Sequence, residues 1–500
     1  MRIAPFDLQV VGVALDPQSA TPKHRQLYSR LREAVLGDRL HAGDALPSSR
    51  TFARELGVSR NTVLAAYEQL LAEGYLVGRA GSGTFVAADA TRERSPKAPS
   101  EASPGASQRG HAALAPAAAL LSALRMELPY PLAAPRAFQI AATPIDVFPF
   151  APWARLAARR LRDAPGALLS EREPLGYRPL REAIAAHLRN TRAVLCEADQ
   201  IAVVSGAHAA IFMCAMLLVG PHDAVWMEEP GYPAARGALR LRTEHVVPVP
   251  VDAEGLDVAT GLQLAPRPRL IYATPSHQFP LGATMTLRRR LDLLHAAESA
   301  NAWIIEDDYD SELRYDGRPL AALQGLDRSG RVIYVGTFNK IVFQGLRIGY
   351  AVLPRELVDS FTSARYFIDE YPPALAQAVL TDFMDEGFFA RYVRKARPVC
   401  AERQDCLLAR VRHKLGDLVR LEPSPAGGFL VAELPDDVDD VALSFALGRR
   451  GVDVLALSPF FAGAAVRRGL LLGYAAVDLA AIRAGVDTLA RVASDFGSPT

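Results

Sequence analysis

The sequence of 500 residues predicts an α/β protein with two parts. A small helical head that ends in a β-hairpin is expected over residues 20–88, and a large α/β domain with a smaller α+β lobe over residues 135–495. Three observations predict this: helical periodicity followed by two short strands, a stretch rich in Ser, Pro, Ala and charge, and then helical segments that alternate with apolar strands for several hundred residues.

The head contains three helical segments and one hairpin. We predict helices at Leu27–Leu36, Ser49–Leu56 and Asn61–Leu71. Strands at Tyr75–Arg79 and Thr84–Ala88 flank the turn Ala80-Gly81-Ser82-Gly83.

The second and third helices have clear start and stop signals. Ser48 or Ser49 can cap the second helix, Gly57 can end it, and Ser59 can cap the third. The third helix then opens on Arg60, Asn61 and Thr62, side chains that suit bases and phosphates in a major groove. A helical hairpin used for protein contacts would have a similar composition, so these residues alone leave both interpretations open.

Residues 89–134 are predicted to form a flexible linker. The part from 89 to 112 lacks apolar periodicity and cannot bury enough surface to offset the entropy of ordering. The Ala/Leu-rich part from 113 to 134 is compatible with linker or with a first docking helix.

The large domain is predicted to contain a mostly parallel sheet, because short apolar strands alternate with helices. From Pro354 the pattern is helical and then returns to strands, which indicates a smaller lobe. The strands are expected at Ile201–Val204, Ala224–Met227, Leu270–Ala273, Trp303–Ile305, Val332–Val335, Gly428–Ala432 and Leu470–Leu472.

Two segments of this domain carry candidate chemistry. In Gly336–Tyr350, Lys340 follows a strand, with Thr337 three residues before it and Arg347 seven after it. A buried amine can form a Schiff base with an aldehyde, while Thr and Arg suit a phosphate. A solvated lysine at a strand end is the plainer alternative.

The second segment places acids at the end of the strand Trp303–Ile305, where α/β sheets have their ligand sites. There Asp307 could pair with a protonated pyridine nitrogen. Helix capping by Asp307 or Asp308, or a metal-binding carboxylate pair, would use the same residue types.

The composition limits the location and partners. The chain shows no signal-peptide pattern and no membrane-length apolar run, so we expect it in the cytoplasm. Its four cysteines lack metal-ligand spacing, and no metal is expected. The net charge of +1 does not by itself suggest DNA.

The sequence of the head strengthens the DNA interpretation. The string LPSSRTFARELGVSRNTVLAAYEQLLAEGYLVGRAGSGTFV resembles the winged helix-turn-helix domain of the GntR superfamily, with Phe52 where Leu is common. The resemblance implies that double-stranded DNA is a partner. The residues that it places toward DNA are Ser48, Arg50, Ser59, Arg60, Asn61, Thr62, Gly81, Ser82 and Gly83.

The large domain resembles fold-type I aminotransferases, which bind pyridoxal 5'-phosphate. EDDYDSELRY, GTFNK with GLRIGY, TPSHQFPLG and EEPGY are similar to segments of MocR-type regulators, in which a GntR head precedes an aminotransferase-like domain. By this resemblance Lys340 is the Schiff-base lysine, Asp307 the pyridinium partner, Tyr309 the donor to the ring hydroxyl and Tyr232 the stacking aromatic. The remaining implied residues are Thr337, Arg347, Ser205 and Gly206 at the phosphate, and His277 and Gln278 in the pocket wall.

The chain departs from the family in two places. Ala207, His208, Leu281, Asn339 and Gln344 replace common residues around the cofactor and are expected to weaken its phosphate contacts. The late strand around Leu470–Leu472 lacks the Arg that clamps a substrate carboxylate in aminotransferases. We therefore expect poor transamination, and Arg236 is a candidate to bind an amino-acid effector instead.

The sequence therefore predicts a regulator and not an enzyme. Pyridoxal phosphate, or its adduct with an amine or amino-acid effector, would control the conformation of a DNA-bound homodimer, which the resemblance implies and which could be head-to-tail. Two alternatives stay open: an active aminotransferase with an accessory head, and a DNA-binding head on a cofactor-free dimerisation scaffold.

Overall fold

A computed structural model of the chain describes residues 14–16, 19–79, 83–88, 115–123, 128, 136–140, 143–163, 166–170, 172–315 and 321–496. The chain forms two compact units, Met1–Ala113 and Leu114–Thr500. The division between them falls inside the stretch predicted as linker. Most of that stretch lies outside the described residues, so the domain limits stay predictions.

Among its described residues, the first unit has three helices and a small antiparallel sheet, as predicted, with one additional short strand. Each helix or strand lies within a few residues of its expected position. Its elements are α1 (Lys23–Leu36), β1 (Ala45–Leu46), α2 (Ser49–Leu56), α3 (Arg60–Ala72), β2 (Leu76–Arg79) and β3 (Gly83–Val86). Their strand order is β1-β3-β2, so the unpredicted β1 pairs with the outer side of the hairpin.

Side-chain caps fix the ends of α2 and α3. The Ser48 hydroxyl accepts from the Thr51 amide at 3.2 Å, and the Ser59 hydroxyl accepts from the Thr62 amide at 3.2 Å. Gly57 ends α2 with a left-handed φ of 62°. Of the two predicted capping serines, Ser48 is therefore the one used, and the predicted roles of Gly57 and Ser59 are confirmed.

The second unit contains fourteen helices and twelve strands among its described residues. The helices are α4 (Pro116–Ala123), α5 (Phe150–Arg162), α6 (Gly166–Leu169), α7 (Arg178–Arg192), α8 (Ala207–Leu218), α9 (Pro233–Arg240), α10 (Val258–Leu264), α11 (Leu287–Ala300), α12 (Leu323–Leu326), α13 (Val358–Ile368), α14 (Ala374–Asp385), α15 (Phe388–Leu415), α16 (Asp440–Arg449) and α17 (Leu479–Phe496). The strands are β4 (Ile201–Val204), β5 (Val225–Glu229), β6 (Val246–Asp252), β7 (Gly255–Leu256), β8 (Leu270–Ala273), β9 (Trp303–Asp308), β10 (Val332–Thr337), β11 (Gly349–Val352), β12 (Arg420–Leu421), β13 (Phe429–Leu434), β14 (Leu455–Ala456) and β15 (Arg468–Gly473).

Eight strands form one large sheet in the order β4-β11-β10-β9-β8-β5-β6-β7. The five strands from β10 to β6 are parallel, whereas β11 runs antiparallel to both of its neighbours and β7 antiparallel to β6. The predicted mostly parallel sheet is confirmed. Because parallel strands end at the same edge, the ends of β8, β9 and β10 bring their side chains together.

Strand β9 is longer than predicted, since it continues through the acids to Asp308. Buried donors make this possible. Glu306 accepts from the amides of Leu323 and Gln324 at 2.7 and 2.8 Å, and Asp308 accepts from Arg192 at 2.9 Å. These two acids are therefore bound by the scaffold, and Asp307 between them points the other way.

The smaller lobe carries a four-stranded antiparallel sheet in the order β12-β13-β15-β14. Its strand β15 alternates between two environments. Leu470 and Leu472 pack into the main core, whereas Leu471 packs with Phe429 and Phe460 in a separate apolar cluster. Leu471 therefore lies on the face of the sheet that carries Phe429.

The helix α4 lies in the Ala/Leu-rich part of the predicted linker. There Pro116–Ala123 are helical, as one of the two alternatives expected, but none of these residues is buried, and most of the surrounding residues lie outside the described part. Within the part of the chain that the structure describes, no helix is both long enough and apolar enough to cross a membrane.

Candidate functional site

A cavity of about 770 Å³ lies at the ends of β8, β9 and β10, against the first turns of α8 and α9. Seven of the ten residues that the resemblance places around the cofactor line it together, although they come from several separate segments of the chain. They are Gly206, Tyr232, Asp307, Tyr309, Thr337, Lys340 and Arg347.

Lys340 lies in the loop that follows β10. Burial lowers the pKa of its amine to about 8, against the opposing effect of the carboxylates of Asp310 and Asp307, and the positive charge of Arg347 lowers it further. At pH 7 about a tenth of the amine is therefore unprotonated, far more than for an ordinary lysine, and this is the form that attacks an aldehyde.

This pKa predicts how covalent attachment of an aldehyde to Lys340 depends on pH. Only the unprotonated amine reacts, so the initial rate should rise about tenfold per pH unit below pH 8 and level off above it. Stopped-flow absorbance with pyridoxal phosphate measures this rate. A rate that keeps rising to the pKa of an ordinary lysine, about 10.4, would contradict a perturbed Lys340.

Asp307 presents one free carboxylate oxygen. Its Oδ2 accepts from the Tyr272 hydroxyl at 2.7 Å, and its buried Oδ1 has no hydrogen-bond partner among the described residues. Burial raises the pKa of Asp307 to about 7. An unpaired buried oxygen of this kind is costly unless a ligand donor meets it, and a ring N–H is a suitable donor.

The loop after β4 forms a narrow cradle with the loop after β10. Gly206 has φ 100° and ψ 161°, a conformation open almost only to glycine. A Cβ on Gly206 would lie 3.0 Å from Asn339 Nδ2 and 3.2 Å from Arg347 Nη2. The first amides of α8 follow directly, so backbone and side-chain donors converge here as an anion site requires.

Tyr309 faces the cavity with its hydroxyl 3.1 Å from His277 Nδ1. The same nitrogen lies 2.8 Å from Asp310 Oδ2. A carboxylate can only accept, so the His277 N–H donates to Asp310 and the hydroxyl hydrogen of Tyr309 is left for a group in the cavity.

Four sequence-based expectations need correction. His277 and Gln278 do not line the cavity; His277 lies behind Tyr309, and Gln278 donates to Glu228 at 3.1 Å. The exposed Ser205 side chain lies outside the cavity, and only its carbonyl takes part, accepting from Arg347. Arg236 is also outside, because its guanidinium is held by Glu229 at 2.9 Å and by the Phe460 carbonyl at 2.7 Å.

Several cavity residues were missed by sequence reasoning. Tyr272, near the end of β8, could have been found from the rule that parallel strands end at one edge. Asn339, noted only as a departure, contributes its amide to the cradle and accepts from the Ile348 amide at 3.1 Å. An apolar wall had no separate signal in the sequence; it is formed by Phe279, Phe429, Leu455 and Phe460.

The predicted DNA-facing residues lie at the starts of α2 and α3 and in the hairpin. Arg50, Arg60 and Asn61 are exposed, while Thr62 is half-buried beside the Ser59 cap. Gly83 begins β3, with φ 113°, whereas Gly81 and Ser82 lie outside the described residues. Arg60 and Asn61, exposed at the start of α3, form the arrangement that a major groove can accept.

Known families match both units. Residues 23–86 match the bacterial regulatory proteins of the gntR family, and residues 152–489 match aminotransferase class I and II. A solved structure with a similar fold is LysN, an α-aminoadipate aminotransferase from Thermus thermophilus. It is 28% identical, has a TM-score of 0.66, and covers 72% of this chain and 92% of its own.

Full-length relatives combine the same two parts. The probable rhizopine catabolism regulatory protein MocR of Rhizobium meliloti is 41% identical over 95% of both chains. The transcriptional regulator TauR of Rhodobacter capsulatus is 32% identical over 97% of this chain and 99% of its own. This chain therefore belongs to the MocR-type family of transcription regulators, in which a GntR helix-turn-helix domain precedes an aminotransferase-like domain.

Proposed function

We propose that the protein is a cytoplasmic DNA-binding regulator whose large domain holds pyridoxal phosphate and senses an amine. The observation that carries the proposal is the cavity itself. It brings together the Lys340 amine, whose pKa is lowered by burial, an Asp307 oxygen without a partner among the described residues, and the cradle at Gly206. These three residues come from three different segments of the chain.

These residues fit the cofactor group by group. Lys340 would hold the aldehyde carbon, Asp307 the ring nitrogen and Tyr309 the ring hydroxyl. Arg347 and Asn339, with the first amides of α8, would hold the phosphate. When bound, the cofactor supplies an aldehyde carbon that exchanges one primary amine for another, which is the chemistry an amine sensor needs.

The cavity favours sensing over transamination. Among the described residues that line it, the Lys and Arg side chains are Lys340 and Arg347. Arg467 and Arg468, next to the late strand, pair with Glu433 and Asp440 and do not line the cavity. A substrate carboxylate would have no dedicated arginine among these residues, so efficient turnover of amino acids is not expected.

The response to an amine would be conformational. A ligand shifts DNA binding only if it binds two arrangements of the protein with different affinity. A homodimer, the assembly that this fold implies, would place two heads on two half-sites, and a change in the dimer would alter the distance between them.

A cofactor titration tests the proposal. The full-length protein is titrated with pyridoxal phosphate while the visible absorbance of the lysine-bound form is followed. A saturable band supports the proposal. A protein that gives no band at any cofactor concentration would have a large domain that serves only as scaffold.

Gly206→Ala should weaken cofactor binding. Alanine at this backbone conformation costs about 1–3 kcal/mol, and its Cβ crowds Asn339 and Arg347, so the cofactor Kd should rise about tenfold or more. The matched control is Gly345→Ala in the neighbouring loop, where a Cβ meets no atom within 4 Å. Equal Kd values for the two variants would argue against a phosphate in this cradle.

A further inference from the structure

The residues that line the cavity indicate what kind of effector it can bind. Besides the groups assigned to the cofactor, the cavity has an apolar wall from the lobe, formed by Phe429, Leu455 and Phe460, and Phe279 joins it from the loop after β8. The ring centroid of Phe279 lies 5.6 Å from that of Phe429 and 5.3 Å from that of Phe460. This part of the cavity suits a carbon skeleton.

Among the described residues of this wall, none is a cation that could meet an acid group. On β15, Leu471 is fully buried in the same cluster as Phe429 and Phe460 and does not itself line the cavity. Arg347 is at the other end, near Gly206, and donates to the Ser205 carbonyl at 2.5 Å. A carboxylate or sulfonate on the effector would therefore find no counter-charge among the described residues of this wall, and burying it there is strongly unfavourable.

Two acceptors in the cavity have no hydrogen-bond partner among the described residues. They are the buried oxygens Asp310 Oδ1 and Gln139 Oε1. Asp310 is only 6% exposed, and its other oxygen is 2.8 Å from His277. These oxygens require donor groups, and the charge of Asp310 opposes a second anion.

We infer that the effector is a primary amine that lacks an acid group and carries a further hydrogen-bond donor, as in an amino alcohol or a diamine. The inference rests on the proposed function, because the amine is recognised through the cofactor on Lys340. The apolar wall, with Leu471 packed behind it, excludes the acid group, and Asp310 and Gln139 receive the additional donor.

Three ligands with one carbon skeleton test the inference. Leucine carries a carboxylate, leucinol a hydroxymethyl group, and 3-methylbutylamine a hydrogen at the same position. Each is added to the cofactor-loaded protein, and the Kd is read from the change in cofactor absorbance. Leucinol should bind at least about tenfold more tightly than leucine, with 3-methylbutylamine between them. Leucine binding as tightly as leucinol, or more tightly, would overturn the inference.

Two variants and one control assign the preference to residues that line the cavity. Leu455→Arg should narrow or reverse the difference between leucine and leucinol, while the control Leu455→Met should keep it. Gln139→Leu should weaken leucinol several-fold and leave 3-methylbutylamine unchanged. If circular dichroism shows that Leu455→Arg does not fold, the wild-type ranking and Gln139→Leu decide.

Failure of the proposed function would be seen separately. The cofactor band is recorded before any amine is added, so its absence would contradict the cofactor site itself. A normal band with a preference for leucine would contradict only the effector class.

Discussion

Lys340→Ala is expected to abolish the covalent attachment of pyridoxal phosphate. Lys340 is the only lysine among the described residues that line the cavity, and its lowered pKa makes it the reactive amine there. The visible band of the bound cofactor should disappear completely, and the change produced by an added amine should be lost with it. Absorbance spectroscopy of the purified variant measures both.

A matched variant separates this effect from a general loss of lysine. Lys395→Ala removes an exposed lysine from α15, remote from the cavity lining, and should leave the band unchanged. Retention of a full band in Lys340→Ala would mean that another amine binds the cofactor and that the assignment is wrong. Circular dichroism of both variants shows whether each is folded.

Arg60→Ala and Asn61→Ala, made one at a time, should each strongly lower the affinity for DNA. Both side chains are exposed at the start of α3, where a base edge can be contacted. Each well-placed side-chain contact to a base contributes about 1–3 kcal/mol, so each substitution should lower operator affinity roughly tenfold to 100-fold. Fluorescence anisotropy with an operator fragment selected from a random library measures the loss.

The control for this experiment is Arg25→Ala. It removes the same charge as Arg60→Ala from an exposed position on α1, so it should lower affinity far less. If all three variants bind the selected fragment as the wild type does, α3 is not the recognition helix. The Ser59 cap is left unchanged in these variants so that helix stability does not confuse the result.

The elements that the sequence predicted best are those with strong local signals. Strands Ile201–Val204 and Leu270–Ala273 agree residue for residue with β4 and β8, because each is a short apolar run with no competing pattern. The capping serine and the ending glycine likewise fixed α2. The two-residue strand β1 was missed because it depends on pairing with β3, which a local pattern does not reveal.

The site was predictable where a residue has a single chemical use. Lys340, Asp307 and Gly206 meet in one cavity as expected. The roles expected for His277 in the pocket wall and for Arg236 in effector binding were wrong, because both side chains have strong alternative partners inside the protein. Arg236 is held by Glu229 and the Phe460 carbonyl, and His277 by Asp310, and such pairings depend on tertiary neighbours.

The measurement that tests the account most directly is operator affinity in three states: the protein without cofactor, with pyridoxal phosphate, and with pyridoxal phosphate and an amino alcohol. We expect the amine to change the affinity of the wild type by roughly five- to 150-fold, the usual range of coupling between two sites, and to leave Lys340→Ala unaffected. Equal affinity in all three states, in a protein that shows the cofactor band, would contradict the claim that the large domain controls DNA binding.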